Sequence, residues 1–116
     1  MDLDEINGMF ANIRDNTPWD VTAPLLWGYY FVHSTPEPLQ PLGQALATQG
    51  YTVVGQYEQA GDADQPPFHV LHVERVEIHD EASLHARDQQ LTALAAQMGV
   101  EDYDGVDVGP VTPPAG

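Results

Sequence analysis

LLWGYYFVHS, residues 25–34, runs through leucine, aromatic residues and valine with one glycine, and ends on His33-Ser34 without an acid, lysine or arginine. A run of this length and composition reads as a central strand of a sheet, because only a buried strand needs apolar residues on consecutive positions. Directly after it, Thr35-Pro36-Glu37 has the chemistry of a helix start: a hydroxyl cap, a proline at the first helical position and a carboxylate in the first turn. Leu39, Leu42 and Leu46 then recur at helical spacing, and Gly50 supplies the left-handed residue that ends helices. YTVVGQYEQ (51–59) predicts a second strand, and GDADQPP (61–67) is a loop by composition.

FHVLHVERVEIH (68–79) predicts a long third strand, whose imperfect alternation suggests a bulge. A second helix is predicted from about Glu81 to Met98. At 100° per residue, Leu84, Leu91, Leu94, Ala95 and Met98 fall within an arc of roughly 100°, the width of a core-facing stripe. Gly99 stops it. VEDYDGVDVGPV (100–111) is a fourth strand, and TPPAG (112–116) is expected to fray. The order β-α-β-β-α-β is the split βαβ pattern of an α+β, ferredoxin-like two-layer sandwich, with a four-stranded antiparallel sheet and both helices on one face.

Upstream, Leu3, Ile6, Phe10 and Ile13 form one stripe of an extra N-terminal helix, with Asp2 and Asp4 where negative charge complements the helix dipole. DNTPWDVTAP (15–24) is a linker, within which Trp19 is expected to cover an edge of the core. Residues 1–24 are thus helix and linker, and 25–116 the ferredoxin-like unit. At 12.7 kDa the chain supports one core.

The charge balance narrows function. Eighteen acids stand against three arginines and no lysine, for a formal net charge of -15. Direct binding to nucleic acid is disfavoured, because cations released from phosphate drive that association. An anionic membrane leaflet repels such a chain likewise. A basic protein surface attracts it and is met faster at low salt. Without cysteine, disulfides and thiolate metal sites are excluded. The acidic start MDLDEINGMF is unlike a secretory leader, so the expected location is the cytoplasm.

No constellation carries chemistry. His69 and His79 are predicted on one face of the third strand and His72 on the other, spacing that does not bring two metal ligands together; rim or surface positions are expected for the histidines. Odd spacing sends Glu74 and Glu77 to opposite faces, so they form no acid-base pair. Ser34 and Ser83 lack a nucleophile-elbow context, and phosphate-cradling glycine loops are absent. Catalytic, cofactor and metal residues are therefore expected to be none, and the chain is not expected to be an enzyme. Arg87 falls on the core-facing stripe of the second helix, where its stem is expected to pack on the sheet and its head to pair with an acid of a neighbouring strand. The candidate partner-binding residues are two acidic clusters: Glu101, Asp102, Asp104 and Asp107, and Glu58, Asp62 and Asp64. Solvated surface charge is the plain alternative for both, and the sequence gives no reason to place them on one rim.

LHARDQQLTALAAQMGVEDYDGVDVG (84–109) resembles the C-terminal part of the RraB-type regulators of ribonuclease activity, bacterial protein inhibitors of ribonuclease E. The resemblance is carried by Gln90-Leu91, Leu94-Ala95 and Tyr103-Asp104-Gly105, with Gly50 to Val54 fitting the family's first helix-to-strand junction. It extends over about Trp27 to Val108. Where the family usually has tryptophan after the aspartate-glycine pair, this chain has Val106. The resemblance implies a small acidic α/β protein that binds a ribonuclease and modulates it without chemistry of its own. Two other readings fit the charge and fold: a self-associating module that pairs as a homodimer through the open sheet face, and an immunity-type protein against a basic toxin.

Overall fold

A computed structural model describes residues 2–111 of the chain; the TPPAG segment, expected to fray, lies outside the described residues. The elements run α1 (Leu3–Asn16), β1 (Leu25–His33), α2 (Leu39–Thr48), β2 (Thr52–Gln59), β3 (Phe68–Glu77), α3 (Glu81–Gln97) and β4 (Asp102–Gly109). The four strands form one sheet in the order β2-β3-β1-β4. Every neighbouring pair is antiparallel. This is the α+β ferredoxin-like sandwich that the alternation of strand and helix signals predicts.

β1 shows how the sequence builds the layers. Leu25, Trp27, Tyr29 and Phe31 are buried against the helical layer, at 5% exposure or less. Burying each such side chain is worth about 1.5–3 kcal/mol. The intervening positions Leu26, Tyr30 and Val32 point to the face without helices, where they are only half-buried. The unbroken apolar run of β1 thus does not reflect helices on both faces. Its outward set is apolar on a face that no helix covers.

The C-terminal ends of α2 and α3 use the predicted glycines. Gly50 and Gly99 have φ values of 99° and 76°, the left-handed region in which a β-carbon is disfavoured. The Tyr51 N–H donates to the Leu46 carbonyl and the Val100 N–H to the Ala95 carbonyl, each closing a Schellman turn. Helix α3 opens on a capping box. The Ser83 N–H donates to Asp80 Oδ1 at 2.7 Å and the Asp80 N–H to Ser83 Oγ at 2.9 Å.

Three expectations shift. Helix α2 starts at Leu39 after Pro38, not at Thr35-Pro36-Glu37, because a residue preceding proline, here Glu37, is disfavoured from helical geometry. No bulge lies in β3. The extra residues are Val54 of β2 and Asp104 of β4, each falling where the pairing register slips. The alternation of residues 68–79 is imperfect because Val70 is buried on the outward face while Leu71 and Val73 are buried on the inner one, and because the strand ends before His79. Finally, Leu3 is 46% exposed, so the buried stripe of α1 is Ile6, Phe10 and Ile13. These three join the same core as the sheet, with the Phe10 ring stacked on Trp27 at 5.8 Å.

Candidate functional site

The two acidic clusters meet at one end of the sheet. Antiparallel pairing sets His33 at the end of β1 opposite His69 at the start of β3, and Val32 opposite Asp102 at the start of β4. The loop joining β2 to β3 returns to this end. Asp62 and Asp104, one from each cluster, line a single groove of about 530 Å³. Glu101, Asp102 and Asp104 line a second hollow of about 380 Å³ with Pro66 and Pro67 of the same loop. Glu58 lies 3.6 Å from His69 Nε2. All seven candidate carboxylates are exposed.

Several are held in place. Asp62 Oδ1 accepts the N–H groups of Asp64 and Gln65 at 2.8 and 2.9 Å, shaping the loop. Glu101 accepts the Ser34 N–H, and that bond is the main reason its carboxyl lies below its ordinary range. Asp107 is the outlier of the set. It lies farther down β4 on the outward face, opposite Gly28, where Tyr30 Oη donates to its Oδ2 at 2.7 Å.

That outward face is the open sheet face that the sequence offered for self-association; it was not among the surfaces expected to meet a basic partner. Running across it from β2 to β4 are the rows Tyr57–Val70–Val32–Asp102 and Gly55–His72–Tyr30–Gly105. The Tyr30 ring stacks on His72 at 4.2 Å. Burial, then the bond to Asp107 and its charge, push the Tyr30 phenol above its usual range. Gly28 makes room beneath. A β-carbon there would lie 2.3 Å from Asp107 Oδ1 and 2.9 Å from His72 Nε2. The signal available in the sequence was the outward half of LLWGYYFVHS, which is as apolar as the inward half.

All three arginines lie at the opposite end. Arg87 Nη1 donates to Glu77 Oε1 at 2.6 Å and to Tyr51 Oη at 2.7 Å, so the expected pairing with a strand acid is present. Arg75 Nε is 3.3 Å from the same Glu77 oxygen. Arg14 donates to Glu81 at 3.2 Å. Burial opposes the charge of Glu77, but hydrogen bonds from His79, Arg87 and Tyr29 outweigh it and depress the carboxyl to about 2. Glu74 and Glu77 do face opposite sides of the sheet, opposite Gly28 and Leu25.

His79, expected at a rim, is buried, at 6% exposure. Its Nε2 lies 2.8 Å from Glu77 Oε2 and its Nδ1 2.9 Å from Ser83 Oγ. The order Ser83–His79–Glu77 has the outline of a catalytic relay. Its serine, however, accepts the Asp80 N–H of the capping box, and Glu77 is spent on two arginines and Tyr29. The arrangement ties the end of β3 to the start of α3. Among the described residues, no group of three or more histidines and carboxylates is placed to hold a metal ion. None of their helices is long and apolar enough to cross a membrane.

Val106 lies opposite Tyr29 on β4 and packs against the core. It thus sits beneath the helices, on the side of the sheet away from the outward face. No curated protein matches the chain. A family model described as regulator of ribonuclease activity B matches residues 3–108, from the start of α1 to the penultimate residue of β4. The chain belongs to that family of regulators of ribonuclease activity.

Proposed function

We propose that this protein is a non-catalytic regulator that binds a ribonuclease, of the ribonuclease E kind, through its negative end and so modulates RNA processing in the cytoplasm. The observation that carries this reading is the placement of the cations: carboxylates occur at both ends, Asp80 and Glu81 among them, but all three arginines lie at one. Glu58, Asp62, Asp64, Glu101, Asp102 and Asp104 cluster around one end of the sheet, with Asp107 on the adjoining face. The arginines are spent on Glu77 and Glu81 at the other end. A surface of this kind repels RNA and attracts the basic, RNA-binding surface of the enzyme that handles it. Membership of a family of regulators of ribonuclease activity supports a ribonuclease as the target.

The test is a binding and turnover assay with purified ribonuclease E at low and high salt. Capture at low salt that weakens as salt rises, with slowed RNA cleavage, supports the proposal. No capture at low salt refutes it. A homodimer through the outward face is the second reading, favoured by the apolar set Leu26, Tyr30 and Val32 on that face. Against it, pairing two such faces brings Asp102, Asp107 and Glu74 of each copy towards the same residues of the other. Sedimentation that finds only monomer at micromolar concentration removes it.

A further inference from the structure

We infer that the contact at the negative end is made on the outward side of the sheet, and that the groove there takes an arginine side chain from an extended segment of the basic partner. This rests on the functional reading above and adds to it a surface, an occupant and a set of aromatic anchors. The groove runs between the exposed ring of Tyr57, which is 45% accessible, and Tyr30, over a floor of Phe68 and the buried Val70. Asp62 stands at its margin on the covering loop and Asp104 on β4. Aromatic walls with carboxylates at the margin suit a planar guanidinium, which stacks on rings and forks two hydrogen bonds into a carboxylate. A lysine ammonium gains the charge but little of the stacking.

Charge selects among possible occupants. Every formally charged side chain along this face is a carboxylate: Glu74, Asp102, Asp104 and Asp107 on the strands, and Asp62 on the loop. The chain has no lysine, and all three arginines belong to the helical side or to the far end. A second copy at net -15 meets its own sign here, and so does nucleic acid. A cationic peptide meets neither obstacle. Asp104 is the unpaired residue of the β4 bulge, between Gly105 and Tyr103, the partners of Tyr30 and Phe31, and it adds a carboxylate to the lining of this groove.

The experiment is an amide-resolved NMR titration of the full chain with a hexa-arginine peptide and, separately, with hexa-lysine, followed by the same titrations on Tyr57→Ala. Tyr57 is exposed on an edge strand, so this variant keeps its fold, which circular dichroism verifies. Expected are shifts at Tyr30, Tyr57, Phe68 and Asp104, an arginine peptide bound at least about 3-fold more tightly than lysine, and a loss of about 3- to 10-fold for arginine in the variant. Shifts confined to the helical layer, shifts spread over all carboxylates, equal binding of both peptides, or an unaffected Tyr57→Ala each overturn the inference. Ribonuclease capture separates the two proposals. If Tyr57→Ala captures the nuclease as well as the parent does, the groove is not the contact and regulation by another surface stands. If the parent captures none, the functional reading fails and the peptide titration still decides the groove.

Discussion

Glu77 concentrates more of the molecule's polar bonding than any other side chain described, since Tyr29, His79, Arg75 and Arg87 all converge on its two oxygens. Removing one partner of such a buried set leaves the others uncompensated, so Glu77→Gln is expected to cost about 3–5 kcal/mol in urea unfolding. The same carboxyl sets an acid limit. Its folded value of about 2 lies below the ordinary 4.5, so the folded state holds fewer protons than the unfolded one across that interval. Its contribution, about 3 kcal/mol at most, is complete above pH 4.5 and is lost as pH falls from 4.5 towards 2. Unfolding at pH 5, 3.5 and 2 should show that slope in the parent and a shallower one in Glu77→Gln. Gly28→Ala tests the outward face. Its new β-carbon displaces the ends of Asp107 and His72, side-chain atoms that turn aside only by giving up their contacts with Tyr30. The expected loss is about 1 kcal/mol, the worth of the Tyr30–Asp107 bond, with a lower titration midpoint for the Tyr30 phenol.

At the scale of elements, α1 is more than an appendage. Phe10 is fully buried and stacks on Trp27, so Phe10→Ala is expected to lower stability by about 3–5 kcal/mol, read as a shift of the denaturant midpoint with unchanged slope. A domain in which α1 docked loosely would lose far less. This packing was visible in outline in the sequence, because Ile6, Phe10 and Ile13 repeat at helical spacing. The strands and helix ends were legible for a similar reason: apolar periodicity and glycine placement are local signals, and Gly50 and Gly99 act where they stand. Bulges were not legible. Whether Val54 or Asp104 is the unpaired residue depends on the register against a neighbouring strand, which is a long-range property. The convergence of Asp62 with Asp104 was hidden likewise, since 42 positions of chain separate them and only the return of the β2–β3 loop brings them together. The buried state of His79 went unread because its partners, Glu77 and Ser83, come from two elements meeting at a turn.

For the molecule as a whole, the acidic end and the arginine end are separated by the length of β1, roughly 26 Å at about 3.3 Å per residue. Neutralising Asp102 and Asp104 together to asparagine is expected to slow association with a ribonuclease several-fold at low salt and hardly at all at high salt. Dissociation should change little, and stopped-flow kinetics reads both. The placement of Arg14, Arg75 and Arg87 adds a further effect. A body with its cations gathered at one pole feels a torque in an external field as well as a pull. Once within about a Debye length of a cationic target it turns before contact, so it arrives end-on, with the β2–β3 loop and the start of β4 leading. Collisions that would present the helical layer are thereby depleted before any atom touches.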